Sequence, residues 1–145
     1  MKIAFACDHA GFETKEMLIG YLESKEGFEI LDFGTFSKDS CDYPDFAHPM
    51  AKAVEEKKHD FGISLCGSGN GINMVANKYP GIRSALCWTE EIAILARQHN
   101  DANICAIPAR FIDTITAISI MDAFLETEFE GGRHQKRIDK ISIKH

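Results

Sequence analysis

"ISLCGSGNGINMVANKYPGIRSALCW" (residues 63–88) decides the fold. Extended back to "DFGISLC" (60–66), its first part is an apolar run of strand length. Gly67, Gly69 and Gly71 then alternate with polar residues, a helix is predicted to start within this loop and run to Lys78, and "IRSALCW" (82–88) is again an apolar strand. Strand, glycine loop, helix and strand in this order form the repeating unit of a parallel sheet. The odd feature is Cys66, a thiol at the entrance of a loop that otherwise looks built for oxygen-rich ligands.

The same alternation extends outward in both directions. Upstream, "KIAFAC" (2–7) reads as a buried strand. A helix follows over 12–25, with Phe12, Met17, Leu18, Tyr21 and Leu22 on one stripe. "FEILDF" (28–33) is the second strand and "GTFSKDSCDYP" (34–44) the longest loop. Residues 45–58 form a helix ending in the charged run Glu55, Glu56, Lys57 and Lys58, a solvated helix end. Downstream, Thr89 is placed to cap a helix over 90–98, and "NICAIPA" (103–109) is the fifth strand. Ile115, Ile118, Met121, Phe124 and Leu125 mark a helix over 112–126. Gly131 and Gly132 then open a C-terminal basic segment, 131–145, with its cationic residues in 133–140.

This pattern predicts a single α/β domain over 1–145: a three-layer α/β/α, doubly wound five-stranded parallel sheet of order 2-1-3-4-5. The ligand crevice of that order lies between strands 1 and 3. It brings Asp8-His9-Ala10-Gly11 beside Cys66–Gly71.

Composition narrows the function classes. The chain has 145 residues, enough for a core without disulfides or metals. Its net charge of −6 argues against a nucleic-acid partner, so any anion site must be local. No apolar run is long enough to span a bilayer, and "MKIAFACDHAGF" does not read as a signal peptide. The five cysteines, Cys7, Cys41, Cys66, Cys87 and Cys105, show no Cys-x-x-Cys spacing. They indicate neither a disulfide framework nor a metal site, and they fit a reducing cytoplasm.

Glycines without Cβ atoms let backbone N–H groups turn toward a ligand. A tight turn with no ligand is the simpler reading; three glycines with Ser68 and Asn70 in so short a stretch argue against it. The spacing matches neither a dinucleotide fingerprint nor a phosphate-binding Walker loop, and Asp32 lacks the upstream glycines of a ribose-binding acid. Cys7, Cys87 and Cys105 read as small strand hydrophobes. Cys66 differs, because a strand-to-helix junction favours thiolate. His9 and His99 sit at element ends; His48, His59 and His145 read as structural or exposed. Arg133 and Arg137 are four apart, so on a helix they share a face, and an anion between them would relieve their repulsion. A solvated basic tail is the alternative.

Six stretches, "CDHAGF" (7–12), "DYPDFA" (42–47), "CGSGNGI" (66–72), "ANKYPGIRSALC" (76–87), "RQHNDANI" (97–104) and "EGGRHQKR" (130–137), together resemble the ribose-5-phosphate isomerase type B family. This belongs to the wider sugar-phosphate isomerases that include galactose-6-phosphate isomerase. The resemblance implies cofactor- and metal-free interconversion of ribose 5-phosphate and ribulose 5-phosphate, a step of the pentose phosphate pathway. It implies Cys66 as the base, His99 as the group assisting ring opening, and Ser68 with the amides of Gly67, Gly69, Asn70 and Gly71 as oxyanion donors. It implies His9, Arg133 and Arg137 at the phosphate, Asp8 and Asn100 at sugar oxygens, and Tyr43 and Arg110 in the site. Some relatives use a glutamate where this chain has Ile72, which places the chain in the cysteine-dependent branch; Ser68 stands where threonine is common. The resemblance further implies a homodimer or homotetramer, with His99 and Asn100 crossing from the partner. A six-carbon substrate such as allose 6-phosphate or galactose 6-phosphate, and a non-catalytic sugar-phosphate sensor, are the alternatives.

Overall fold

The computed structural model describes residues 1–143; His145 and the end of the basic segment lie outside the described residues. The strands are β1 (Lys2–Cys7), β2 (Glu29–Asp32), β3 (Phe61–Cys66), β4 (Ser84–Leu86) and β5 (Ile104–Pro108). The helices are α1 (Phe12–Glu23), α2 (Tyr43–Glu55), α3 (Asn70–Ala76), α4 (Glu90–Asn100), α5 (Thr114–Glu126) and α6 (Arg133–Ile138). All strand pairs are parallel.

Strand residues alternate between two helical layers, as the pleat requires. Ile3, Phe5, Cys7, Ile63, Leu65, Cys105 and Ile107 meet Leu18 and Leu22 of α1 and Ile120 and Phe124 of α5. Ala4, Ala6 and Ile104 face Met50, Ala51 and Val54 of α2 on the other side. That second face is built from small residues so that α2 can approach. A Cβ on Gly62 would stand 2.6 Å from the Met50 sulfur.

The strand order is β2-β1-β3-β5-β4, not the expected 2-1-3-4-5. The reason is burial. Every residue of β5 is buried, whereas β4 is three half-buried residues long. A strand covered on both faces belongs inside the sheet, and a short one at its edge. The outward backbone of β4 is covered by a side chain. Asn77 donates from Nδ2 to the Ser84 carbonyl at 2.9 Å and accepts the Ser84 N–H at Oδ1 at 2.8 Å.

Several boundaries shift for local reasons. Helix α2 starts at Tyr43, with Pro44 in its first turn where no amide partner is needed. It stops at Glu55, and Lys57 takes a left-handed conformation (φ 58°). Asp113 caps α5 by accepting the Thr116 N–H at 2.7 Å, so that helix begins at Thr114. Thr89 caps α4 as expected, accepting the Ile92 N–H at 3.2 Å.

Among the described residues, Lys15 and Arg97 are buried cations. Lys15 is 0% exposed and donates to Asp32 Oδ1 at 2.7 Å, to Asp32 Oδ2 at 2.5 Å and to the Thr35 carbonyl at 2.8 Å. Asp32 in turn accepts the Gly34 N–H at 2.9 Å. Arg97 stacks over Phe61 and donates to the carbonyls of Thr127 and Ala102 and to Asp101.

Candidate active site

The loops at the carboxyl ends of β1, β3 and β5 meet. The Asp8 N–H donates to the Leu65 carbonyl at 3.3 Å, and Gly11 packs so closely on Leu65 that a Cβ there would lie 2.7 Å from the leucine's own. The Ala109 N–H donates to the Cys66 carbonyl and the Arg110 N–H to the Gly67 carbonyl, each at 3.0 Å. The adjacency expected of the first and third loops is therefore present, and the insertion of β5 beside β3 adds Arg110 to it.

Cys66 ends β3 and is 4% exposed. It lies in a small cluster with Ala47, Ile72 and Ala106, onto which Tyr43, Val75 and Leu86 pack. Its sulfur does not point only at hydrocarbon: the Gly69 N–H donates to Sγ at 3.1 Å. That geometry depends on Gly69 itself, whose φ of +77° suits glycine and whose missing Cβ would meet Leu86 Cδ1 at 2.5 Å. Ser68 and Asn70 are exposed, and the Ser68 hydroxyl accepts the Asn70 N–H at 3.2 Å. Tyr43 lies over Gly71, its Oη 2.6 Å from where a Cβ would stand, and the Arg110 side chain lies over Gly67.

The turn after β1 completes this side. Asp8 is 8% exposed and caps the short 3-10 turn His9–Gly11, its Oδ1 accepting the Ala10 and Gly11 N–H groups. His9 Nδ1 accepts the Cys41 N–H at 3.2 Å, which leaves Nε2–H as the ring's donor. Asp8, His9, Cys41, Asp42 and Tyr43 line one cleft. Cys41 is a residue the sequence reading passed over; only the fold brings its amide to the His9 ring.

The remaining expected site residues lie elsewhere. His99 and Asn100 end α4, which leads from β4 back to the start of β5 and so reaches the amino edge of the sheet. Arg83, which precedes β4, donates from Nε to the Asn100 carbonyl at 2.8 Å. Arg133 and Arg137 are exposed on α6, and neither forms an ion pair with any described residue. His134, between them, stacks on His99 with ring centroids 4.4 Å apart. One chain thus carries the thiol and glycine loop at one edge of the sheet and the His99–Arg133–Arg137 group at the other. Of the other cysteines, Cys7, Cys87 and Cys105 are buried as read from the sequence. Burial pushes the Cys7 thiol up to about 12, with the Lys15 charge pulling the other way.

No helix of the described residues is long and apolar enough to cross a membrane. Residues 3–141 match the model of a family described as Ribose/Galactose Isomerase. The chain is 44% identical to ribose-5-phosphate isomerase B of Escherichia coli, over 97% of this chain and 94% of that protein. Among solved structures, a ribose 5-phosphate isomerase from Thermotoga maritima is 50% identical with a TM-score of 0.93, covering 97% of this chain and 96% of that one. Ribose-5-phosphate isomerase B from Mycoplasma genitalium, solved with bound ribulose-5-phosphate, is 43% identical with a TM-score of 0.92, covering 97% and 93%. Matched over residues 3–141 by the family model and over 97% of its length by relatives in sequence and in fold, the chain belongs to the ribose/galactose isomerase family.

Proposed function

We propose that the protein interconverts ribose 5-phosphate and ribulose 5-phosphate, with Cys66 carrying the proton between C2 and C1. The observation that carries this reading is the seat of Cys66: a thiol at the end of β3, taking the Gly69 N–H, where the loops after β1, β3 and β5 meet. The relatives named for this reaction support the substrate class.

The reaction needs an open-chain sugar. His99 assists opening of the furanose by proton transfer. Cys66, as thiolate, removes the C2 proton and a cis-enediolate forms. Its negative charge is met by the amides of Gly67, Ser68 and Gly71 and by the Ser68 hydroxyl, donors set by the loop before the charge develops, whereas the Gly69 N–H is held by the Cys66 sulfur and the Asn70 N–H by the Ser68 hydroxyl. Cys66 then returns the proton to C1. Such an acid–base group contributes roughly 10²–10⁴-fold. His9, Arg133 and Arg137 hold the phosphate, Asp8 and Asn100 contact sugar oxygens, and Tyr43 and Arg110 close the site. Anchoring the phosphate fixes the reacting carbons against the sulfur.

The two groups of residues lie at opposite edges of one sheet, so one chain does not assemble the whole set. We infer a homo-oligomer in which each site takes its thiol from one copy and His99, Asn100, Arg133 and Arg137 from another. The five free thiols fit a cytoplasmic setting.

The test is turnover of ribose 5-phosphate by the purified protein and by Cys66→Ala, with ligand binding measured by calorimetry. Cys66→Ala is expected to bind and not turn over. Retained turnover would remove the thiol from the mechanism, and a protein that binds but never turns over would be a sensor. Mixing inactive Cys66→Ala and His99→Asn chains is expected to restore activity; no recovery would refute the shared site. Because the family description also covers galactose isomerases, kcat/KM for five- and six-carbon phosphates decides the substrate length.

A further inference from the structure

We propose that His134 is a positioning residue for ring opening: stacked on His99 and held by Glu130, it fixes the plane in which the His99 nitrogens meet the sugar. This role rests on the one proposed for His99 above. Among the described residues no hydrogen bond holds the His99 ring, and the outer torsion of a histidine side chain is soft. What faces that ring is the His134 imidazole, 15° from parallel with centroids 4.4 Å apart. Turning His99 out of its plane would drive its edge into the His134 face. The supporting ring is itself fixed. His134 is 7% exposed. Its Nε2–H donates to Glu130 Oε2 at 3.3 Å, since an ionised carboxylate can only accept. The Glu130 N–H donates to the carbonyl of Gln98, the residue before His99, at 3.2 Å. Gly131 and Gly132 both take positive φ, 69° and 58°, and turn the chain back. The His134 N–H then closes on the Gly131 carbonyl at 3.2 Å. The end of α4, Glu130 and His134 thus form a closed circuit that ends on the His99 face.

Ring opening needs such a fixed plane. The proton on the anomeric O1 goes to His99, the O1 electrons make the C1=O double bond, the C1–O4 bond breaks, and O4 takes the proton back. Both oxygens are bonded to C1. One in-plane lone pair serves both only if the imidazole stays edge-on to that carbon within hydrogen-bond reach. Arg133 and Arg137 flank His134 on α6, so the helix that carries the proposed phosphate anchors also carries the support for His99.

The test isolates ring opening from proton transfer at carbon. In the full-length Cys66→Ala protein, exchange between the α and β furanoses of ribose 5-phosphate, followed by NMR, reads opening alone. Cys66→Ala is expected to accelerate this exchange, and added His99→Asn to abolish the acceleration. Added His134→Ala should slow it about tenfold or more with ribose 5-phosphate affinity by calorimetry unchanged, and added His134→Phe, which keeps a flat ring on His99, should restore most of it. An undiminished rate in His134→Ala overturns the proposal. So does a rate in His134→Phe as low as in His134→Ala, or a fall in affinity that matches the fall in rate, which would make His134 a support of α6 alone. If His134→Ala does not fold, Glu130→Gln, an exposed change, decides: freeing the His134 ring should slow exchange at unchanged affinity, and an unchanged rate overturns the proposal. If Cys66→Ala accelerates no exchange at all, the role proposed for His99 fails and takes that of His134 with it, a result distinct from failure in the His134 variants alone.

Discussion

Replacing Lys15 with methionine tests how the long 33–42 loop is held. Methionine keeps the aliphatic stem in its buried slot beside Phe12 and Phe36 but deletes the ammonium group. Three acceptor contacts are lost at once, two on Asp32 and one on the Thr35 carbonyl. Removing one partner of a buried ion pair costs about 3–5 kcal/mol, because the other charge stays behind unpaired. Here the low end applies, since the Asp32 side chain is 23% exposed and keeps the Gly34 N–H. A loss of about 3 kcal/mol is a large share of a typical folding free energy of ~5–15 kcal/mol. For a chain of this size it lowers Tm by roughly 6–12 °C. Urea and thermal denaturation of the wild type, Lys15→Met, Asp32→Asn and the double variant give the coupling directly. The double variant is expected to be less destabilised than the sum of the singles. The same loop carries the Cys41 amide that fixes His9, so Lys15→Met should also raise KM more than it lowers kcat. A loss under about 1 kcal/mol, or strict additivity in the cycle, would refute the clamp.

Gly71→Ala should push the Tyr43 ring from its seat and cost about 1–3 kcal/mol; placing it in a Tyr43→Ala background should recover most of that loss by urea melts. Equal losses in both backgrounds would show that Tyr43 does not set the constraint. Alkaline pH should destabilise the fold through its buried thiols. Cys7 is raised to about 12 by burial, and Cys105 is raised by its hydrogen bond with Cys87 and by burial. Unfolded thiols lose their protons near pH 9 while the folded ones keep them. Stability is therefore complete below about pH 9 and falls toward pH 12 by about 1.4 kcal/mol per pH unit per thiol. Denaturation at pH 8 and pH 10 under reducing conditions should show a shallower decline for Cys7→Ala; identical slopes would place that thiol outside the linkage.

The doubly wound architecture was legible because β1, β3 and β5 are apolar on both faces and their helices carry clear stripes. The order of β4 and β5 was not. "IRSALCW" and "NICAIPA" read alike as apolar runs, and what separates them is burial: every residue of β5 is covered, whereas β4 is three half-buried residues whose outward backbone at Ser84 is met by Asn77. Lys15 was missed because a lysine on an amphipathic helix normally reads as solvent-facing. Its position three and seven residues before Leu18 and Leu22 was the available signal, since that spacing puts it on the buried stripe. The thiol and the glycine loop stood out by composition. That His99 and Asn100 sit far from Cys66 within one chain follows from direction alone: a helix leaving the carboxyl edge of a parallel sheet must finish at the other.

Asn77 has an effect on how copies of this chain meet. Its amide presents a donor and an acceptor to Ser84, the same pair a neighbouring strand would offer, so it acts as a one-residue dummy strand on the β4 border. A second molecule cannot zip onto that border and prolong the ladder without first evicting the asparagine. On this side of the molecule, contacts between copies are left to side chains on helices and loops, where discrimination comes from shape and charge instead of repetitive main-chain pairing.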